Sequence, residues 1–167
     1  MSELPALLEA NQAYAGSFDR NALEITPAKP VLLLTCIDAR VDPARILGLD
    51  VGDAHVIRNA GGRATDDAIR SATISSWLLG TREFVVLHHT DCGMTKFTDD
   101  VLHGMIRDAT GVDVTGEEYL SFADPEQSLR EDVAALRNVK TFPEGVTVSG
   151  WIYDVRTGRI TTVVPSA

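Results

Sequence analysis

Two stretches of the sequence share one pattern: VLLLTCIDAR at residues 31–40 and EFVVLHHTDCG at residues 83–93. Each stretch contains an apolar run of strand length and closes with a short polar cassette. Strands that are hydrophobic on both faces are typical of parallel sheets that helices cover. The two stretches therefore predict two buried parallel strands, each delivering polar side chains from its carboxyl end.

Segments of helical and strand character alternate along the chain, which predicts an α/β fold with a mainly parallel sheet flanked by helices. The predicted strands cover residues 31–35, 54–58, 83–88, 146–153 and 160–164, and the predicted helices cover 2–16, 42–48, 65–80, 98–111 and a segment from 124 onward. If the first three strands lie in the order 2-1-3, the two cassettes meet at one edge of the sheet, where open α/β proteins place their sites. The turn at 156–158 predicts a C-terminal edge strand or hairpin.

Apolar faces on two of these helices are available for packing. The first helix carries Leu4, Leu7, Leu8 and Tyr14 on a rough face, and the third offers Ile69, Ala72, Ile74, Trp77 and Leu78. We expect Trp77 in the core or in an interface.

Composition limits the classes of partner. With 167 residues, of which 44% are hydrophobic, the chain is expected to form a single domain over residues 1–167. Its 15 basic against 24 acidic residues give a net charge of −9, which argues against a nucleic-acid surface. No apolar stretch approaches the roughly 20 residues of a membrane span, and no secretion signal is evident. We therefore expect no nucleic-acid or membrane partner, and a location in the reducing cytoplasm.

The two cysteines and one histidine of the cassettes suit a metal ion. Cys36 ends the first strand, and His89 and Cys92 follow the third. Two thiolates and an imidazole supply three of the four ligands of tetrahedral Zn²⁺, which is the count of a catalytic site. The fourth position stays open to water or to the carboxylate of Asp38. Gly93 is expected to relieve crowding beside the ligand.

Other interpretations of these residues stay open. The cysteines could be buried hydrophobes, a disulfide or a redox pair, although no Cys-x-x-Cys motif is present. A non-catalytic zinc-binding module would need Asp38 as its fourth ligand. Gly61 and Gly62 form either a plain turn or a close backbone wall of the zinc cleft. His88 points away from His89 on its strand, so we expect it to pack or to hydrogen-bond.

Three motifs together resemble the β-class carbonic anhydrases: Cys-x-Asp-x-Arg, the stretch RNAGG at residues 58–62, and His-x-x-Cys-Gly. The resemblance implies a zinc ion held by three side chains, namely Cys36, His89 and Cys92. It further implies that Asp38 and Arg40 form a catalytic dyad beside the fourth position. Members of this family are dimers or dimer-based oligomers with clefts at subunit interfaces, so a homodimer or a dimer-based higher oligomer is expected. Ala39 stands where many members carry Ser.

The activity implied by this resemblance is the reversible hydration of carbon dioxide to bicarbonate. Zinc lowers the pKa of bound water enough to supply hydroxide near neutral pH, and this metal-bound hydroxide attacks the carbon of CO₂. Asp38 is placed to accept a hydrogen bond from the hydroxide, and Arg40 to keep the carboxylate ionised. Compact relatives hydrolyse carbonyl sulfide or carbon disulfide instead, so a zinc hydrolase of these substrates is the alternative.

Overall fold

Five strands form the centre of the structure, a computed structural model that describes residues 2–20 and 22–167. Met1 and Asn21 of the predicted single domain lie outside the described residues. The strands are β1 (Val31–Cys36), β2 (His55–Asn59), β3 (Glu83–His89), β4 (Thr147–Tyr153) and β5 (Ile160–Val164). Their order is β2-β1-β3-β4-β5, which confirms the predicted 2-1-3 arrangement. The first four strands are parallel, and β5 pairs antiparallel with β4 at the edge, as predicted.

Five α-helices accompany the sheet: α1 (Leu4–Gly16), α2 (Pro43–Leu47), α3 (Asp66–Leu78), α4 (Asp99–Thr110) and α5 (Pro125–Arg137). Several begin where the sequence carries an N-cap residue. The side chains of Asp42, Thr65 and Thr98 each accept a hydrogen bond from a backbone N–H in the first turn of the helix that follows. Among the described residues, no helix combines the length and the apolarity that crossing a bilayer requires.

The main core lies on the face of the sheet that α3 and α5 cover. Its buried members are Leu32, Leu34, Ala68, Ala72, Phe84, Val86, Leu129, Val133, Leu136 and Val148. The opposite face buries a smaller set, Leu33, Val85 and Leu87. A groove of about 550 Å³, lined in part by Leu47 and Trp151, remains on that face. One face of the sheet is therefore well covered within the chain and the other only in part.

Apolar side chains of α1 and α3 stay in solvent. No residue of α1 is buried, and Leu7 is 63% exposed. In α3 the side chains of Ala68 and Ala72 face the sheet, whereas Trp77 and Leu78 are 61% and 76% exposed. Trp77 and Leu78 therefore lie outside the core of this chain, because the stripe that α3 turns to the sheet is made of small residues.

The total surface reflects this exposure. The described chain has an accessible surface of 10430 Å², whereas a monomeric protein of 18.0 kDa averages about 8,000 Å². The chain thus exposes about 2,400 Å² more than its mass predicts.

Gly62 lies where the turn after β2 touches the backbone of β1. Its φ is +70°, and a Cβ added there would lie 3.0 Å from the carbonyl carbon of Thr35 and 3.1 Å from the nitrogen of Cys36. Gly111, after α4, has a similar φ of +74° but has nothing within 4 Å of an added Cβ. An added Cβ at Gly111 would strain only the left-handed backbone, whereas an added Cβ at Gly62 would also clash with β1.

We predict that Gly62→Ala lowers the free energy of unfolding by about 3 kcal/mol and Gly111→Ala by about 1 kcal/mol. Both variants strain the backbone, but only the first also forces an atom into β1. Urea unfolding of the metal-free protein at equal chain concentration measures both losses. Equal losses for the two variants would contradict the close approach at Gly62.

Candidate metal centre

Three donor side chains converge at the carboxyl edge of the sheet. Cys36 is the last residue of β1, His89 is the last residue of β3, and Cys92 lies in the turn that follows. Their donor atoms all lie within 4.8 Å of one another, and the two sulfurs are 3.9 Å apart. All three residues are buried, and both thiols are free. The parallel pairing of β1 with β3 therefore brings the two cassettes together.

The hydrogen bonding of His89 leaves one ring nitrogen available. Nδ1 lies 2.9 Å from the carbonyl oxygen of Thr90, so the Nδ1–H group donates to this carbonyl. The buried Nε2 has no hydrogen-bond partner within the described part of the chain. In this tautomer the lone pair of Nε2 points to the donor cluster, as in histidines that bind metals.

The donor set fits a zinc ion. Zn–S bonds of about 2.3 Å in a tetrahedral site place two sulfurs about 3.8 Å apart, close to the observed 3.9 Å. The unpartnered Nε2 of His89 supplies a third donor. Thiolate and imidazole ligands suit zinc, whereas magnesium and calcium prefer oxygen ligands.

The hydrogen bond between the two thiols shifts their pKa values in opposite directions. The hydrogen bond with Cys92 holds the pKa of the Cys36 thiol well below its usual range, and His89 and nearby backbone N–H groups act in the same direction against the effect of burial. The same hydrogen bond, followed by burial, raises the pKa of Cys92. Because both cysteines must bind a metal as thiolates, metal binding would release the proton of any thiol that is still protonated.

The turn between His89 and Cys92 depends on the backbone of Asp91. This residue has a left-handed backbone, with φ of +53°. Gly93 has no positive φ, and an added Cβ would meet nothing within 4 Å, so the expectation that Gly93 relieves crowding is wrong. The carboxylate of Asp91 lies beside Lys96 and Arg40, which lower its pKa to about 2.

Asp38 and Arg40 form a two-pronged ion pair next to the donors. Arg40 Nε donates to Asp38 Oδ1 at 3.0 Å, and Arg40 Nη2 donates to Asp38 Oδ2 at 2.7 Å. These bonds hold the pKa of Asp38 well below its usual range, although partial burial opposes them. Asp38 Oδ2 is 3.8 Å from His89 Nε2. An ionised carboxylate thus lies at the edge of the donor cluster.

Arg58 fixes the backbone of the first cassette, a role that sequence reasoning missed. Its Nε donates to the carbonyl of Cys36 at 3.0 Å, and its Nη2 donates to the carbonyl of Asp38 at 2.8 Å. The pairing of Thr35 with Arg58 across β1 and β2 places the guanidinium there. The sequence showed Arg58 only as part of the RNAGG motif. Its hydrogen-bond partners were not predictable, because they depend on strand register.

A buried ionic network lies behind the cleft. Arg63 Nε is 2.8 Å from Asp132 Oδ2 in α5. His88 Nε2 lies 3.2 Å from the same oxygen and 3.3 Å from the carbonyl of Gly62. The ring of His88 stacks on Phe122. His88 thus hydrogen-bonds and packs as predicted, whereas no sequence signal pointed to Arg63 or Asp132.

A cleft of about 300 Å³ opens onto the donors. Besides Cys36, Cys92 and Asp38, its walls are Ile37, Ala60, Gly61, Gly93, Met94 and Phe97. The structure therefore brings together all the predicted site residues except Gly62, which lies behind the wall against β1. Of the two glycines, only Gly61 lines the cleft.

Comparisons with known proteins agree with this site. The sequence model of the carbonic anhydrase family matches residues 31–117. Beta-carbonic anhydrase 1 of Mycobacterium tuberculosis is 43% identical over 161 residues, covering 95% of this chain and 96% of that protein. A carbonic anhydrase crystal structure from Streptococcus mutans matches with a TM-score of 0.93 and 47% identity, covering 98% of each chain. A carbon disulfide hydrolase of Acidithiobacillus thiooxidans is 34% identical over 161 residues, covering 84% of this chain and 80% of that protein.

The segment that the family model matches contains both cassettes, and the first two relatives cover nearly the whole chain. The order of the first three strands is the one predicted from topology, and the donor cluster is the one that the resemblance implied. This chain belongs to the β-carbonic anhydrase family.

Proposed function

We propose that this chain is a zinc-dependent carbonic anhydrase that catalyses the reversible hydration of carbon dioxide to bicarbonate. The observation that carries the proposal is the cluster of three buried donors, Cys36, His89 and Cys92, of which the two cysteines line a cleft. Three protein donors leave one position of a tetrahedral ion free, as in catalytic zinc sites. A closed, non-catalytic zinc site would need Asp38 as its fourth ligand, and Arg40 holds that carboxylate.

Zinc supplies Lewis acidity in such a site, because it lowers the pKa of water far enough for hydroxide to form near neutral pH. Cys36 and Cys92 bind as thiolates and offset the charge of the ion. Asp38 is a hydrogen-bond acceptor at the edge of the donor cluster, so it orients a water that enters the cleft. The planar fork of Arg40 opposes rotation of Asp38 onto the fourth position, which would close the site.

The walls of the cleft favour a small uncharged substrate. Ile37, Ala60, Met94 and Phe97 present apolar surface around the donors. Carbonyl sulfide and carbon disulfide are also small linear electrophiles, so a hydrolase of these compounds is the second candidate. The carbonic anhydrases of Mycobacterium tuberculosis and Streptococcus mutans are more similar to this chain than the carbon disulfide hydrolase is, in identity and in coverage, which favours CO₂.

Side-by-side kinetics test this choice of substrate. We predict that the zinc-loaded protein hydrates CO₂ with a kcat/KM at least about 100-fold above that for sulfide release from carbonyl sulfide or carbon disulfide. Stopped-flow measurement of proton release and colorimetric detection of sulfide give the two rates. A larger specificity constant for sulfide release would make the hydrolase assignment correct.

Variants of the site separate metal binding from turnover. We predict that Cys36→Ser, His89→Ala and Cys92→Ser each lose zinc and activity, because each removes one of three donors. Asp38→Asn is the matched control: it keeps about one zinc per chain but loses about 100-fold in kcat. Elemental analysis after dialysis, paired with the hydration assay, measures both. Full zinc occupancy in all three ligand variants, or a fully active Asp38→Asn protein, would contradict these roles.

We further propose that the chain forms a homodimer or a dimer-based oligomer. Its excess surface of about 2,400 Å² is larger than the roughly 800 Å² that each partner buries in a standard interface. The exposed residues Leu7 and Trp77 offer apolar surface for such an interface. Ile37, beside the ligand Cys36, is 60% exposed at the cleft. A second copy of the chain is the occupant that the family resemblance implies for this surface.

Light scattering after size exclusion tests the assembly. We predict a mass at least twice the chain mass of 18.0 kDa. Leu7→Glu should shift the mass toward the monomer, because it places a charge in the apolar contact. Gln12→Glu, which adds the same charge at another exposed position of α1, is the control. A fully active wild-type species of single-chain mass would rule out the dimer.

The site also suits a reducing compartment such as the cytoplasm. Oxidation of Cys36 and Cys92 would remove two of the three donors, and their sulfurs are only 3.9 Å apart. We therefore propose a cytoplasmic location. Cell fractionation that finds the chain in an oxidising compartment would contradict it.

A further inference from the structure

A second carboxylate holds the arginine of the dyad by its other edge. Arg40 Nη1 donates to Asp91 Oδ2 at 3.0 Å, and Arg40 Nη2 donates to the main-chain oxygen of Asp91 at 2.9 Å. The Nε–Nη2 edge of the same guanidinium is bound to Asp38. Arg40 therefore bridges the two cassettes, with acceptors on both edges of its fork.

Because Arg40 is half exposed, a single ion pair would hold its guanidinium in one orientation only weakly. Its side chain is 46% exposed, and a single ion pair at such a position is weak because water competes for both charges. The long side chain also loses rotamer freedom when it is held in one geometry. The Asp91 carboxylate on Nη1, together with the main-chain oxygen of Asp91 on Nη2, restricts the planar fork to one orientation, and Asp38 is then held by a fixed partner.

The backbone of Asp91 does not by itself require a carboxylate. Glycine and asparagine tolerate a φ of +53° at least as well as aspartate does. The second oxygen of Asp91 lies 2.8 Å from Nζ of Lys96, so the carboxylate is itself held between two cations. Because Asp91 lies on the turn between His89 and Cys92, this carboxylate is fixed to the same turn as two of the metal donors.

We propose that Asp91 is a positioning residue for CO₂ hydration: it fixes Arg40, and Arg40 in turn keeps Asp38 in the orientation that the reaction uses. The inference rests on the proposed function of the site. Asp91 itself lines no part of the cleft among the described residues. Its carboxylate therefore acts on the cleft through its bond to Arg40 and not by direct contact.

A double-mutant cycle tests this route. Asp91→Asn and Asp91→Gly both remove the carboxylate and both suit the left-handed backbone, so folding is retained. Each should lower kcat about tenfold with KM changed less than about twofold and with zinc content unchanged. In an Arg40→Ala background, Asp91→Asn should change kcat by less than about twofold. Lys96→Gln, which removes the other ion pair of Asp91, is the matched control and should stay within about twofold of the wild type.

Two kinetic outcomes would overturn the proposal. One is a wild-type kcat in both Asp91 variants. The other is a loss in the Asp91→Asn, Arg40→Ala double variant that equals the product of the two single losses, because Asp91 would then act independently of Arg40.

Solvent exchange of the Arg40 Nε–H group gives a readout that does not depend on turnover. In ¹⁵N-labelled protein this signal is assigned by its loss in Arg40→Lys. Exchange should be about tenfold faster in Asp91→Asn and unchanged in Lys96→Gln. Equal exchange in Asp91→Asn and wild type would overturn the proposal. If the wild type failed to hydrate CO₂, the proposed function would fall, while this exchange rate would still decide whether Asp91 fixes Arg40.

Discussion

The parallel pairing of β1 with β3 is the constraint on which the site depends. Thr35 lies opposite Leu87 in this pair, so Cys36 and the turn after His89 leave the sheet at the same edge. Apolar side chains on both faces of the two strands are buried, which fixes the register. A shift of one residue would turn Cys36 to the other face of the sheet. The 3.9 Å between the two sulfurs is therefore a result of core packing.

Charge compensation is the second requirement of this edge. Buried thiolates are costly without a cation, and the hydrogen bond between the sulfurs lowers the pKa of Cys36 while it raises the pKa of Cys92. Asp38 and Asp91 add two carboxylates nearby, and Arg40 bonds to both. A bound metal and one arginine would thus balance a cluster of acidic groups in a chain that is acidic overall, with a net charge of −9.

The sequence predicted the order of the first three strands and the three donors, because these depend on local hydrophobic runs and on short motifs, and the family resemblance implied the pairing of Asp38 with Arg40. Contacts between segments that are distant in sequence were not predictable, such as the bonds of Arg58 to the first cassette and of Asp91 to Arg40. The expected role of Gly93 was wrong, since the strained position of that turn is Asp91. Trp77 was expected in a core or an interface, and it is exposed in the single chain. The sequence of an apolar helix face does not tell whether the surface that covers it belongs to the same chain.

X-ray absorption at the zinc K-edge tests the central claim most directly, because it reports the atoms around the ion in the loaded protein. The donor cluster predicts two sulfur ligands at about 2.3 Å and nitrogen or oxygen ligands at about 2.0–2.1 Å, four ligands in all. The sulfurs would be those of Cys36 and Cys92, and the nitrogen that of His89. A first shell with no sulfur, or with only one, would contradict the account.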